Sequence, residues 1–214
     1  MKRLIFAALA SGAFVTPVLA SSWNGPYLGI DAGYGWGKAK QPFSIGHGTP
    51  LTSTEADADL NGWQAGGHLG WNWKVSSMFV IGAEWEGTWS NISGDDGGSG
   101  GDTNEVEAKW ETSVAGRAGI LVAPNALLYG LAGYSWLNAD MNKKNVSPVS
   151  KSATFNGWTY GGGIEFDICP QWTGRVEYRF NDYDQKRVNM TPLPYDLGVT
   201  NRISTVTAGI SVHF

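Results

Sequence analysis

The last eleven residues, Ser204-Thr205-Val206-Thr207-Ala208-Gly209-Ile210-Ser211-Val212-His213-Phe214, alternate without a break and stop on an aromatic ring. Val206, Ala208, Ile210, Val212 and Phe214 fall on one face of an extended chain. Thr205, Thr207, Gly209, Ser211 and His213 fall on the other. Further segments of the same kind lie upstream, and an export signal precedes them all. Strands with one greasy and one small or polar face, repeated in an exported chain, predict a transmembrane β-barrel of a bacterial outer membrane.

The export signal is read from the first twenty residues. Met1-Lys2-Arg3 is basic, and Leu4 to Val15 is apolar but too short to cross a bilayer. Pro17-Val18-Leu19-Ala20 then offers a peptidase site. Residues 1–20 are expected to be a signal peptide cleaved after Ala20, and residues 23–214 a single barrel domain. Loss of Lys2 and Arg3 leaves 13 basic against 19 acidic residues, net −6, which gives no support to nucleic-acid binding. No later run is long and apolar enough for a transmembrane helix. The mean hydropathy of −0.20 does not argue against a membrane, because only alternate residues of a barrel strand meet lipid. Cys169 is the one cysteine and cannot form an internal disulfide; beside Pro170 it reads as a turn residue.

Eight strands follow from the alternation. The first turns Leu28, Ile30, Ala32, Tyr34 and Trp36 outward, against Tyr27, Gly29, Asp31, Gly33 and Gly35. In the second, Trp63, Ala65, Gly67, Leu69, Trp71 and Trp73 oppose Gln64, Gly66, His68, Gly70 and Asn72. The third sets Phe79, Ile81, Ala83, Trp85 and Trp89 against Glu84, Glu86 and Thr88. The fourth sets Val106, Ala108, Trp110, Thr112, Val114, Ala118 and Ile120 against Glu107, Lys109, Glu111, Ser113 and Arg117. The fifth, Leu127 to Trp136, is ambiguous in register, with Leu128, Ala132, Tyr134 and Trp136 favoured as outward. The sixth turns Trp158, Tyr160, Ile164, Phe166 and Ile168 outward, with Glu165 inward. The seventh turns Trp172, Val176, Tyr178 and Phe180 outward and Arg175, Glu177 and Arg179 inward. The carboxy-terminal segment is the eighth.

The connections support that count. Lys74–Ser77, Val122–Ala126 and Cys169–Gln171 are tight. Lys38–Asn61, Ser90–Asn104, Leu137–Asn156 and Asp182–Asn201 are long and rich in turn residues. Strict alternation of long and short joins suits an all-β, eight-stranded antiparallel up-and-down barrel with long extracellular loops. Trp36, Trp63, Trp89, Trp136 and Trp158 are expected at the loop-side interface. Trp73, Phe79, Trp172 and Phe214 are expected at the other, giving two aromatic girdles.

Eight strands enclose a bore narrow enough to be filled by side chains. The inward charges Glu84, Glu86, Lys109, Glu111, Arg117, Glu165, Arg175, Glu177 and Arg179 are therefore expected to form a paired network in the lumen, since unpaired buried charge is costly. An ion path lined by the same groups is the sharper alternative. Gly94-Asp95-Asp96-Gly97-Gly98-Ser99-Gly100-Gly101-Asp102 lacks calcium-loop spacing and reads as a solvated loop. His47, His68 and His213 are too dispersed for a histidine metal site. Neither the Gly29–Gly35 nor the Gly161–Gly163 run opens a helix after a parallel strand, so neither is a nucleotide loop. No catalytic arrangement emerges, and no cofactor is implied.

Trp23-Asn24-Gly25-Pro26-Tyr27-Leu28-Gly29-Ile30-Asp31-Ala32-Gly33-Tyr34-Gly35-Trp36-Gly37 resembles the opening strand of the small alphaproteobacterial outer-membrane proteins of the Omp25/Omp31, or porin-family, group within the OmpA-like and OmpX-like barrels. Asn156–Glu165, Arg175–Phe180 and Gly209–Phe214 are similar to that group's sixth, seventh and last strands. The resemblance spans the mature chain and implies an eight-stranded outer-membrane barrel without catalytic residues. It implies membership of a group of structural surface antigens, weak porins and haemin binders. His47 or Tyr195 would then be the loop residues able to ligate haem iron. A haemin or host-surface ligand, outer-membrane lipid and the outer-membrane assembly machinery are the partners in view. Phe214 resembles the terminal signal which that machinery reads.

Overall fold

A computed structural model of the chain describes residues 23–45, 55–95, 103–144, 149–189 and 195–214. The expected signal peptide, His47 and residues 96–102 lie outside them. Alternating segments all form strands: β1 (Gly25–Ile45), β2 (Glu55–Lys74), β3 (Phe79–Ser90), β4 (Ser93–Asp95), β5 (Thr103–Ala123), β6 (Ala126–Lys144), β7 (Val149–Cys169), β8 (Trp172–Tyr183), β9 (Lys186–Asn189) and β10 (Tyr195–His213). The short β4 continues β3 along β5, and β9 continues β8 along β10, so the ten strands make eight staves. Each stave pairs antiparallel with its neighbours in chain order. β1 pairs with both β2 and β10, which closes the sheet into a barrel. Closure leaves the membrane-spanning part without an edge, as hydrocarbon requires.

The closing seam runs from Tyr27↔His213 to Ile45↔Tyr195, and Phe214 N donates to Pro26 O at 3.0 Å. Gly25 enters it at φ 118°, where an added Cβ would lie 2.7 Å from Phe214 O. The three tight turns fall where expected. In the Cys169–Trp172 turn, Pro170 sets the first corner and Gln171 takes the second at φ 70°, a left-handed position normally given to glycine.

Register agrees with the alternation almost throughout. Leu128, Ala132 and Trp136 are exposed and Leu127, Tyr129 and Leu131 buried, so the favoured register of the fifth stave holds. Ala108 departs from it. A bulge between Ala108 and Trp110 flips the parity of β5, so Ala108 points inward, 4% exposed, while Trp110 stays outward. The long connections are also shorter than expected. β1 and β2 pair as far as Pro42↔Glu55, and β6 and β7 as far as Lys143↔Val149. Polar residues in these stretches look like loop, yet pairing with neighbours on both sides outweighs their weak strand propensity. Strands of up to 21 residues, where about ten span a membrane, therefore carry the barrel wall beyond the loop-side girdle.

Inside, the bore is layered. An apolar cluster that includes Leu60, Ile92, Leu137, Phe155, Tyr183 and Ile203 fills the loop-side end. Another, with Trp23, Val80, Leu121, Leu127, Tyr129 and Leu131, fills the turn-side end. Trp23 caps the latter, its Nε1 donating to Pro124 O at 3.2 Å. Buried charge lies between the two clusters.

Candidate functional site

Period-two alternation places every second residue of β8 on the lumen face, so Arg175, Glu177 and Arg179 stack along one stave. β3 contributes Glu84 and Glu86 by the same rule, β5 contributes Arg117 and β7 Glu165. All seven are buried.

Glu84 is the hub. Its Oε2 accepts from Arg175 Nη1 at 2.7 Å and from the Tyr27 hydroxyl at 2.8 Å, while its Oε1 accepts from Arg179 Nη2 at 2.7 Å. Arg117 Nη1 lies 3.4 Å from Oε2. Arg179 also pairs with Glu86 at 2.5 Å, donates to Glu177 through Nε, and donates to Ser113 Oγ at 3.0 Å. Glu177 accepts from the Tyr129 hydroxyl at 2.6 Å. Glu165 gathers Arg117 Nη2 at 2.6 Å, the Thr173 hydroxyl at 2.7 Å and His213 Nε2 at 3.1 Å. The Arg117 guanidinium stands 4.1 Å from the Tyr129 ring centroid, a cation–π contact. Staves on opposite walls are thus tied across the bore by charge-assisted hydrogen bonds.

Of the nine charges expected in this network, seven come together. Lys109 does not join it. The bulge turns this residue away from the lumen, and its Nζ pairs with Glu107 at 2.6 Å, with the side chain 40% exposed. Glu111 lies on the half-buried loop-ward rim, without an ion pair to any described guanidinium. Sequence reading missed Asp31, His68 and His213 as members. His68 Nδ1 meets Asp31 Oδ2 at 2.8 Å, and Arg175 Nη2 reaches the same oxygen at 3.4 Å. The signal was available: Asp31, His68 and His213 all sat on inward faces. They looked isolated because their partners are distant in sequence. Glycine permits the closest approach, since a Cβ on Gly29 would lie 2.3 Å from His68 Nε2.

His68 Nε2 also meets Ser211 Oγ at 2.8 Å, which completes the hydrogen-bond order of a Ser-His-Asp triad. Acyl transfer further needs room for the reacting carbon beside the nucleophile, and donors for its oxyanion. Ser211 is 1% exposed, and turn-ward of it Tyr27 and His213 stack with centroids 5.2 Å apart. Asp31 is shared with Arg175. The arrangement is a strut in the wall. Oxygens of Glu84, Glu86 and Glu177 lie within 4.8 Å of one another, as in a metal site, but Arg175 and Arg179 already supply positive charge there.

Outside, the girdle residues Trp36, Trp63, Trp73, Trp89, Trp136, Trp158 and Trp172 are all exposed, as are Phe79 and Phe214. Loop-side rings pack on one another, with Tyr34 and Trp63 at 5.3 Å and Tyr134 between Trp136 and Trp158 at 5.3 and 5.6 Å. Tyr195 opens β10 opposite Ile45.

The chain is similar to known proteins. The outer membrane protein beta-barrel domain family matches residues 6–214. The 31 kDa outer-membrane immunogenic protein of Brucella melitensis is 30% identical over 188 residues, covering 83% of this chain and 78% of the relative. The 25 kDa outer-membrane immunogenic protein of Brucella abortus is 32% identical over 200 residues, covering 90% and 80%. Among solved structures, the outer membrane protein OprG of Pseudomonas aeruginosa aligns with a TM-score of 0.52 at 8% identity, over 89% of this chain and 97% of that one, a likeness of fold alone.

Proposed function

This chain belongs to the outer membrane protein beta-barrel family, and on that premise we propose that it is a non-enzymatic structural protein, a braced barrel that holds four loops outside the cell. It resides in the bacterial outer membrane, as its relatives' names state of them. One observation carries the structural reading: the bore is filled along its length by an apolar cluster, an ion-pair lattice and a second apolar cluster. Conduction needs continuous water, and eight strands leave little space for it. The two Brucella relatives are named immunogenic, which supports the loops as the surface presented outward.

Planar-bilayer recording decides between scaffold and pore. The refolded protein is expected to show no stable ohmic step. A large, stable conductance whose ion selectivity changes in Arg175→Ala, with stability unchanged, would make the protein a porin. Haemin binding rests on the family likeness, and no described feature favours it.

Phe214 is proposed as the residue recognised by the assembly machinery. It is 51% exposed on the lipid face while its backbone stays in the seam, so its ring is available during insertion. Phe214→Asp is expected to lower the heat-modifiable protein recovered from outer membranes several-fold. Near the interface a charge there costs the folded barrel only about 0–1 kcal/mol. Equal recovery of variant and native protein would remove this role.

A further inference from the structure

The outer surface is uneven on one side. Gly67, Gly87 and Thr112 are register partners across β2, β3 and β5, so three neighbouring staves present almost no side chain along one row. A Cβ on Gly67 would meet nothing nearer than 3.4 Å, while one on Gly87 would come within 3.1 Å of the Trp85 ring, whose tip leans over that end of the row. The next row loop-ward carries Trp89 opposite Trp110, and Trp85 stands in the next row turn-ward. Aromatic residues elsewhere in the loop-side girdle stack on one another. These three make no described ring contact, and Trp89 is 76% exposed. They wall a recess of about 660 Å³, with Leu28 at its edge.

We propose that this recess is a binding site for an acyl chain of lipopolysaccharide. The lipid-facing surface is already the interface of the barrel with hydrocarbon, and the recess continues it inward. Its position just below the loop-side girdle places it in the outer leaflet, which in an outer membrane is built of lipopolysaccharide. The β5 bulge serves the same site. By turning Lys109 away from the lumen, beside Trp110, it sets an ammonium at headgroup height, next to Glu107, where a lipid phosphate lies. The splayed tryptophans leave room for a chain that stacked rings would close.

Native mass spectrometry of the full-length protein, titrated with rough lipopolysaccharide or with phosphatidylethanolamine, tests the site. One lipopolysaccharide is expected to stay bound under activation that strips phosphatidylethanolamine. Gly67→Leu with Gly87→Leu fills the recess and is expected to lower the bound fraction about tenfold or more, since several chain methylenes lose their contact. Trp89→Ala with Trp110→Ala removes the walls without filling the floor and is expected to act in the same direction. Gly130→Leu, on β6 and turn-ward of the recess, where a Cβ has 3.7 Å to its nearest neighbour, is expected to leave binding unchanged. Unboiled gel mobility certifies folding of each variant. Equal retention by the native protein and both folded recess variants would overturn the proposal. So would phosphatidylethanolamine held as firmly as lipopolysaccharide, or no adduct with either lipid.

Discussion

Glu84→Ala is expected to destabilise the barrel by about 3–5 kcal/mol, the cost of stripping a buried charge from its partners. Three guanidiniums and one phenol converge on this carboxylate, which is itself 4% exposed. Without it, Arg175 keeps only a longer contact to Asp31 at 3.4 Å and one to Glu177 at 3.9 Å. Urea titration of the refolded protein, followed by the shift between folded and unfolded gel bands, measures the loss. Arg175→Ala is expected to cost a similar amount. The double change is expected to cost less than the sum by roughly 0.5–3 kcal/mol, because the pair at 2.7 Å is lost only once. Glu84 is thus a closer partner of Arg175 than Glu177. A loss below about 1 kcal/mol for Glu84→Ala would mean that water screens the lattice, as it does an exposed ion pair.

Phe155→Ala is expected to cost about 3–5 kcal/mol, the range for removing a buried aromatic ring. Phe155 is fully buried, pairs with Leu137 across β6 and β7, and belongs to the cluster with Tyr183 and Ile203. It lies in a stretch that composition alone assigns to an extracellular loop. In a solvated loop the same change would be worth less than about 0.5 kcal/mol. The measurement therefore asks whether the wall above the girdle is a packed part of the barrel. Phe155→Leu is expected to recover much of the loss, since it keeps an apolar side chain in the cluster.

The inner and outer faces of the staves were legible from sequence because side-chain direction in a strand has a period of two and needs no tertiary knowledge. Leu28 against Asp31, Trp85 against Glu84 and Glu86, and Val176 against Arg175 and Glu177 all lie as alternation predicts. The eightfold count followed from the same rule, and the tight turns from their turn residues. Alternation fails where the backbone inserts a residue. Nothing around Lys109 announces a bulge, and one extra residue there moved Ala108 into the core and Lys109 out of the lumen.

Partnership across the bore was closed to sequence reading for a different reason. Arg175 finds Glu84 91 residues away, and Ser211 finds His68 143 residues away. Which inward groups share a height depends on stave stagger and barrel closure, and these are properties of the whole sheet. Loop extent depended on closure as well, because polar stretches such as Ser150–Asn156 become strand only when a neighbour pairs with them. Alternation, a local property, determined the barrel and the side each residue faces. Closure, a global one, decided which charges meet, how far the wall rises and where its outer surface opens.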